Sequence, residues 1–386
     1  MNNVIKRNKR NSSIELLKII SLLAIVVSHI TQTLVNSKSG NPYAIDIAHA
    51  SMDSRVLILS LLRYLGSFGN TVFFASTAWF LVDNKGFKAK KILPLIANTW
   101  IISIAILVTS LLIGSDISGK NILRSIFPII LQTNWYITYY IVFYLLHPLL
   151  NSAIQKLSQR QHLRVAIFSS VAFILLCSLK SELLCGTKLM TWIAIYMDIA
   201  YFKKYALELF NSKKANLVSI AIGAVGTVVL LLVTNFAGLH ITAISDKLQH
   251  WATIQNPFII LMAMGIFNLV RQKEFTSKVI NTIASVSLYV YIIHENIIIR
   301  TYLRPAIWTE IYNRIGHNYL YVVILCMSLA FFVVSTILGL IYSKTVQRIV
   351  NSVIEKLYAP AKLVVLRIED RLMKNRAGTQ AETAKP

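Results

Sequence analysis

Charge is scarce in this chain. Asp, Glu, Lys and Arg make up 14% of its 386 residues, while 55% are hydrophobic. Soluble domains carry about 25% charged residues. That shortage, with a mean hydropathy of +0.60, excludes an ordinary soluble domain and points to a polytopic membrane protein. Acidic residues are scarcer still, 16 against 39 Lys and Arg, for a net charge of +23. Such a surplus could suit nucleic acid. Here, however, the basic residues gather in alternate gaps between apolar runs, which is the pattern of membrane topology and contact with anionic lipid. Nucleic acid is therefore not expected as a partner. Cysteine is rare as well. Cys177, Cys185 and Cys326 form no CxxC or other ligand-like spacing, so no metal site is expected. They read as small apolar residues, with a Cys177–Cys185 bridge near an outer loop as the one pairing considered. Internal repeats, low-complexity linkers and room for a separate soluble catalytic domain are all missing. The first apolar run has no A-x-A-like cleavage site and is expected to remain as a span.

What is present is a series of ten apolar runs, near 14–35, 56–82, 92–113, 128–150, 164–180, 188–203, 216–236, 251–270, 279–299 and 319–343. Most have the length needed to cross a bilayer as helix. The predicted fold class is an all-α polytopic membrane protein of about ten transmembrane helices. Basic residues mark every second gap: Lys6, Arg7, Lys9 and Arg10; Lys85, Lys88, Lys90 and Lys91; Lys156, Arg160 and Arg164; Lys203, Lys204, Lys213 and Lys214; Arg271, Lys273 and Lys278. The positive-inside rule then places both termini in the cytoplasm. Three segments follow: a basic N-terminus at 1–13, a membrane domain at 14–343 and a basic tail at 344–386. Within the tail, 346–374 mixes apolar and basic residues, broken at Pro360, as an amphipathic helix on the inner leaflet would. Residues 377–386 are polar and expected to be disordered.

Ionisable residues inside a span are costly and mark functional sites. Glu15, Lys18 and His29 lie in the first run. On a helix, Lys18 and His29 point within about 20° of each other and stand about 16 Å apart along the axis. Glu15 sits one turn from Lys18. This line of polar groups runs from the cytoplasmic end of the span into its outer half. His29 has the chemistry to take a proton from a hydroxyl or to carry an acyl group. Arg63 lies in the outer part of the second run, and His294 and Glu295 in the outer half of the ninth. Trp135 and Tyr136 open the fourth run at the outer surface. For each residue a plainer role competes: an i,i+3 ion pair for Glu15 and Lys18, helix packing for the histidines, interfacial anchoring for the aromatics.

Four stretches of this sequence resemble the acyltransferase 3 family of integral membrane acyltransferases. Glu15-x-x-Lys18, then ten residues, then His29 is similar to the family's basic-x10-His signature. Phe73-Phe74-Ala75-Ser76-Thr77-Ala78-Trp79 is similar to its Phe-Phe-x-x-Ser-Gly element, with Thr77 in place of glycine. Asn134-Trp135-Tyr136-Ile137 with Tyr144-Leu145-Leu146-His147-Pro148 is similar to its Trp-Phe/Tyr-Leu and Tyr-Leu-x-x-Pro pattern. Ser287-Leu288-Tyr289-Val290-Tyr291-Ile292-Ile293-His294 is similar to its Ser-x-x-x-Tyr-x-x-His element. The loop from Lys88 to Pro94 keeps a basic cluster before proline, without arginine.

The resemblance implies transfer of an acyl group, commonly acetyl, from cytoplasmic acyl-CoA to a hydroxyl of a cell-envelope or exported carbohydrate at the outer face. It implies His29, Lys18, Glu15 and His294 as catalytic residues. By their depth and charge, Arg63 would bind the acceptor or an anionic intermediate, and His294 and Glu295 would orient the His29 ring or bind the acceptor; Trp135 and Tyr136 would stack on a sugar, and Lys88, Lys90 and Lys91 would bind the coenzyme A phosphates. Acetyl-CoA is a co-substrate in that scheme; no tightly bound cofactor is expected. Partners would be acyl-CoA, a carbohydrate and membrane lipids, and the expected location is a bacterial plasma membrane. The rival class is a transporter or flippase of lipid-linked sugars, which more often shows paired broken helices in related halves. A catalytically silent partner in glycan assembly is a third reading.

Overall fold

A computed structural model describes residues 10–35, 44–84, 86–179, 187–245, 254–358 and 360. Among these the chain is mostly helical, with no strand. The helices are α1 (Ser12–Val35), α2 (Ser54–Leu81), α3 (Ala89–Leu112), α4 (Gly119–Ile126), α5 (Trp135–Lys156) and α6 (Gln159–Ser170). They continue as α7 (Lys188–Tyr205), α8 (Lys213–Gly238), α9 (Pro257–Arg271), α10 (Lys278–Ser285), α11 (Ser287–His294), α12 (Arg304–Ile315) and α13 (Leu320–Lys344). A π-helical stretch, Val171–Leu176, carries α6 on to Cys177–Leu179. A second, Ile299–Leu303, leads into α12.

Among the described residues six helices are long and apolar enough to cross a membrane: α1, α2, α3, α5, α8 and α13. Their surfaces reverse the soluble pattern. On α8 the side chains of Leu217, Ile222, Val225, Val229 and Val233 are exposed, while Asn216, Thr227, Thr234 and Asn235 are buried. Apolar side chains on the outer wall and polar ones within are what lipid requires, since hydrocarbon offers no hydrogen bonds. The inward polar groups are satisfied locally. Thr227 donates to the Gly223 carbonyl and Asn235 to that of Leu231.

Local chemistry explains the boundaries. Asp53 caps α2 by accepting from the Arg55 amide. Asn256 caps α9, whose first residue is Pro257, where proline's missing N–H costs nothing. Ser158 and Gln161 form a capping box on α6. Three apolar runs differ from the sequence expectation. The run 128–150 becomes helix only at Trp135, because Pro128 to Asn134 turn, with Gln132 at a φ of +50°. The run 279–299 is not one helix. It breaks at Val286 (φ −106°, ψ 6°) and again at Glu295 (φ −103°, ψ 11°). Hydropathy cannot see such breaks, because the side chains on both sides stay apolar. The eighth run yields only the 15-residue α9.

α1 packs most extensively on α2. Two glycines set their separation. A Cβ on Gly69 would stand 2.4 Å from the Ser21 carbonyl oxygen, and one on Gly66 would stand 2.6 Å from Ser28 Oγ. Ser28 Oγ in turn donates to the Arg63 carbonyl at 2.7 Å. This contact brings the face of α1 that carries His29 against the centre of the molecule.

Candidate active site

His29 and Glu295 are 266 positions apart in sequence, yet the fold makes them neighbours. The break after His294 leaves Glu295 outside helical geometry, so its side chain departs from the line of α11 and reaches α1. His29 Nδ1 lies 3.0 Å from Glu295 Oε2 and 3.1 Å from His294 Nε2. His294 is almost fully buried, at 1% exposure, and its Nδ1 lies 2.7 Å from the Val290 carbonyl oxygen.

These contacts determine where the protons sit. A carbonyl oxygen only accepts, so His294 Nδ1 carries a proton and donates it. In the neutral ring its Nε2 is then an acceptor. His29 Nδ1 therefore faces two acceptors, His294 Nε2 and Glu295, and must be the donor to both. Neutral His29 is left with a bare lone pair on Nε2, the form a general base needs.

Glu295 is itself held. Arg300 NH1 donates to Oε1 at 3.0 Å and Arg304 NH2 to Oε2 at 3.0 Å. Arg63 is within electrostatic reach of the same carboxylate. The sequence reading missed Arg300 and Arg304. The available signal was two arginines within ten residues of Glu295 in an otherwise apolar stretch, which would each need a partner.

His29, His294 and Glu295 bring ligand-type atoms within 4.8 Å of one another. By donor type they would suit a divalent cation. The two guanidinium groups on Glu295 oppose one, and the hydrogen bonds account for every contact in the set. The arrangement is that of an oriented base.

Below this cluster is a cavity of about 300 Å³. Leu22 and Ile25 of α1 line it, as do Asn70, Phe73 and Thr77 of α2, Lys91 and Leu95 of α3, Tyr136, Ile137 and Tyr140 of α5, and Ser287, Leu288 and Tyr291 of α11. Each motif singled out in the sequence thus contributes to one wall. Asn70, Phe73 and Thr77 share a face of α2 at i, i+3 and i+7. Leu22, Ile25 and His29 do the same on α1. Ile25 and Tyr291 are each about one turn short of the histidines, and the Tyr291 ring centroid is 5.9 Å from that of His294. Lys91 is exposed and marks another part of the wall.

The other predicted residues are distributed as follows. Glu15 is buried and bound by the Arg10 fork, Nε to Oε1 at 2.7 Å and NH2 to Oε2 at 2.9 Å. Lys18 Nζ is 3.5 Å from Glu15 Oε1. Neither Glu15 nor Lys18 lines the cavity. Trp135 sits under Lys188 Nζ, 4.0 Å from its ring centroid, and packs on Tyr136 and Trp192. Lys88 precedes α3, and Lys90 lies 5.7 Å from the Tyr358 ring centroid in a helix over 346–358. The rest of the predicted tail helix, the first nine residues, Lys85 and Cys185 lie outside the described residues. Cys177 is buried with its thiol 3.3 Å from the Ala172 carbonyl oxygen.

A family model described as an acyltransferase domain matches residues 11–342. The chain belongs to the acyltransferase 3 family. No curated protein and no solved structure matches it. Membership and the apolar helices together make it a multi-pass membrane acyltransferase, in contact with lipid, an acyl donor and an acceptor.

Proposed function

We propose that this acyltransferase moves an acyl group, most often acetyl, from cytoplasmic acyl-CoA to a hydroxyl of a cell-envelope carbohydrate at the outer face. In this reading the ten apolar segments together build the membrane domain. Both termini are cytoplasmic, the membrane is a bacterial plasma membrane, and the tail helix lies on the inner leaflet. The observation that carries the proposal is the bare Nε2 of His29, one turn beyond a cavity on which all four motifs converge.

The chemistry follows from the geometry. Coenzyme A phosphates dock at Lys88, Lys90 and Lys91, as point-charge contacts. The narrow, mostly apolar cavity takes the acyl-pantetheine arm, with Lys91 at the entrance and the thioester toward Tyr291. The acceptor approaches from the side of Arg63. His29 Nε2 removes the hydroxyl proton, and the oxygen attacks the thioester carbonyl. The C–S bond breaks, and the coenzyme A sulfur leaves with the proton held by His29. Glu295 stabilises the imidazolium that forms between these steps. His294 keeps the His29 ring in its working orientation. Lys18 and Glu15 border the donor side as an ion pair.

The test feeds membranes holding wild type or His29→Ala with acetyl-labelled coenzyme A and a cell-envelope glycan fraction. Label in the glycan with wild type, and none with His29→Ala at equal protein level, supports the reading. An unimpaired His29→Ala enzyme would sink it. Movement of lipid-linked sugar without release of free coenzyme A would favour a flippase.

A further inference from the structure

The surroundings of Glu295 contain more positive charge than the described residues neutralise. Arg63, Arg300 and Arg304 face one carboxylate. Arg304 is only 3% exposed, and its NH2 is the one guanidinium nitrogen with a partner. Its Nε and NH1 have no hydrogen-bond partner among the described residues, nor does Arg63 Nε. Trp308, one turn beyond Arg304 and 1% exposed, has an indole N–H in the same condition. Trp308 packs in one apolar cluster with Leu59, one turn before Arg63 on the same helix face, and with Leu62, the residue before it in the chain. All four orphaned atoms are donors. A buried donor without a partner is costly, and a buried guanidinium without a full countercharge more so. What is lacking is an acceptor that also carries negative charge.

We infer that the acceptor substrate bears an anionic group, a carboxylate or a phosphate on its sugar, which the free donors of Arg304 and Arg63 take up beside His29. This rests on the acyl-transfer reading and narrows its substrate class. Arg304 is placed for the task, because its NH2 and His29 Nδ1 share the same oxygen, Glu295 Oε2. An anion on the remaining face of Arg304 holds its own sugar within reach of the His29 base. Guanidinium groups favour such oxyanions, being weakly hydrated and rich in donors. A neutral glycan would leave those donors unpaired in the complex, which is how a site rejects the wrong ligand.

The experiment reads binding without turnover. The purified full chain in detergent is unfolded thermally with added D-glucuronate, D-glucose 1-phosphate or D-glucose, at constant ionic strength. The expected result is a saturable rise in Tm with an anionic sugar, none with glucose, and loss of the rise in Arg63→Gln with partial return in Arg63→Lys. A rise with glucuronate alone assigns a carboxylate, and one with the phosphate alone assigns a phosphate. No rise with either, or equal rises with all three, overturns the inference. In the labelled-acetyl assay, Arg63→Gln should raise KM for the glycan and leave kcat largely in place. A fall in kcat at unchanged KM would put Arg63 on the reacting carbonyl and also overturn it. Binding of the anion without any acetyl transfer would instead count against the enzymatic reading alone.

Discussion

Two carboxylates meet at α1, and each has two Arg or Lys side chains within 3.5 Å. Glu15, near the start of the helix, is gripped by Arg10 and approached by Lys18. Glu295, brought in from after α11, is gripped by Arg300 and Arg304. The first cluster is drawn from nine consecutive residues and is closed, with its carboxylate oxygens taken by a fork of local origin. The second is assembled across the whole chain and is open. It holds a histidine whose contacts run through Nδ1, and among the described residues it leaves guanidinium donors unpaired. The same charges therefore do different work. A closed ion pair makes a helix end tolerable in a membrane, whereas an open one has chemistry still available.

The comparison breaks most sharply at His29. His29→Ala should lower acetyl transfer by about 10²- to 10⁴-fold, the range of a lost general base, with no change in protein level. Label counted in the glycan checks this. Next comes Glu295→Gln. It removes the charge that stabilises the imidazolium and leaves Arg304 buried without its partner. Breaking a buried pair in this way costs about 3–5 kcal/mol of stability, so the variant should lose both activity and thermal stability. Glu295→Asp keeps the charge and separates the effects. Recovery of stability without activity would show that the reach of the carboxylate to His29 matters.

The cavity gives a middle-sized effect. Thr77→Trp places a large side chain into the donor wall. We expect about a tenfold loss in kcat/KM for acetyl-CoA, equivalent to about 1.4 kcal/mol, with acceptor KM unchanged. An effect on acceptor KM instead would mean that the cavity holds the sugar.

How much of this was legible beforehand follows from the same contrast. Glu15, Lys18 and His29 were readable as one face of one helix, because helical period is local. The four motifs were readable as separate strings, and the structure adds that they share a wall. Depth alone put Glu295 and His294 level with His29, as groups to orient its ring or bind the acceptor, but the direct contact of His29 with Glu295 was not readable. It depends on a helix break at Glu295 that leaves hydropathy unchanged and on two glycines that let α2 approach α1. Arg300 and Arg304 were passed over because the stretch after Glu295 mixes charge with apolar residues and read as the edge of a span. The broken ninth run and the late start of α5 have the same origin. Apolar composition reports that a segment is buried or in lipid, but not that it is continuous.

The smallest effect is expected at the closed cluster, and it sharpens the comparison most. Lys18 stands at the family's basic position, with ten residues between it and His29, so its spacing argues for a direct part in transfer. Its surroundings argue otherwise: Nζ is turned to Glu15, and the side chain is about a quarter exposed. Glu15 is buried but keeps its Arg10 fork when Lys18 is removed, so losing the lysine leaves no buried charge unpaired. Lys18→Met should therefore lower transfer by less than about fivefold and leave stability nearly unchanged. Glu15→Gln should do the same, because Arg10 and Lys18 can both turn to solvent. If Lys18→Met instead abolishes transfer while Glu15→Gln does not, the lysine acts on the donor, and its contact with Glu15 is a resting position. In that case the cluster opens when acyl-CoA binds, and the two ends of α1 form one path.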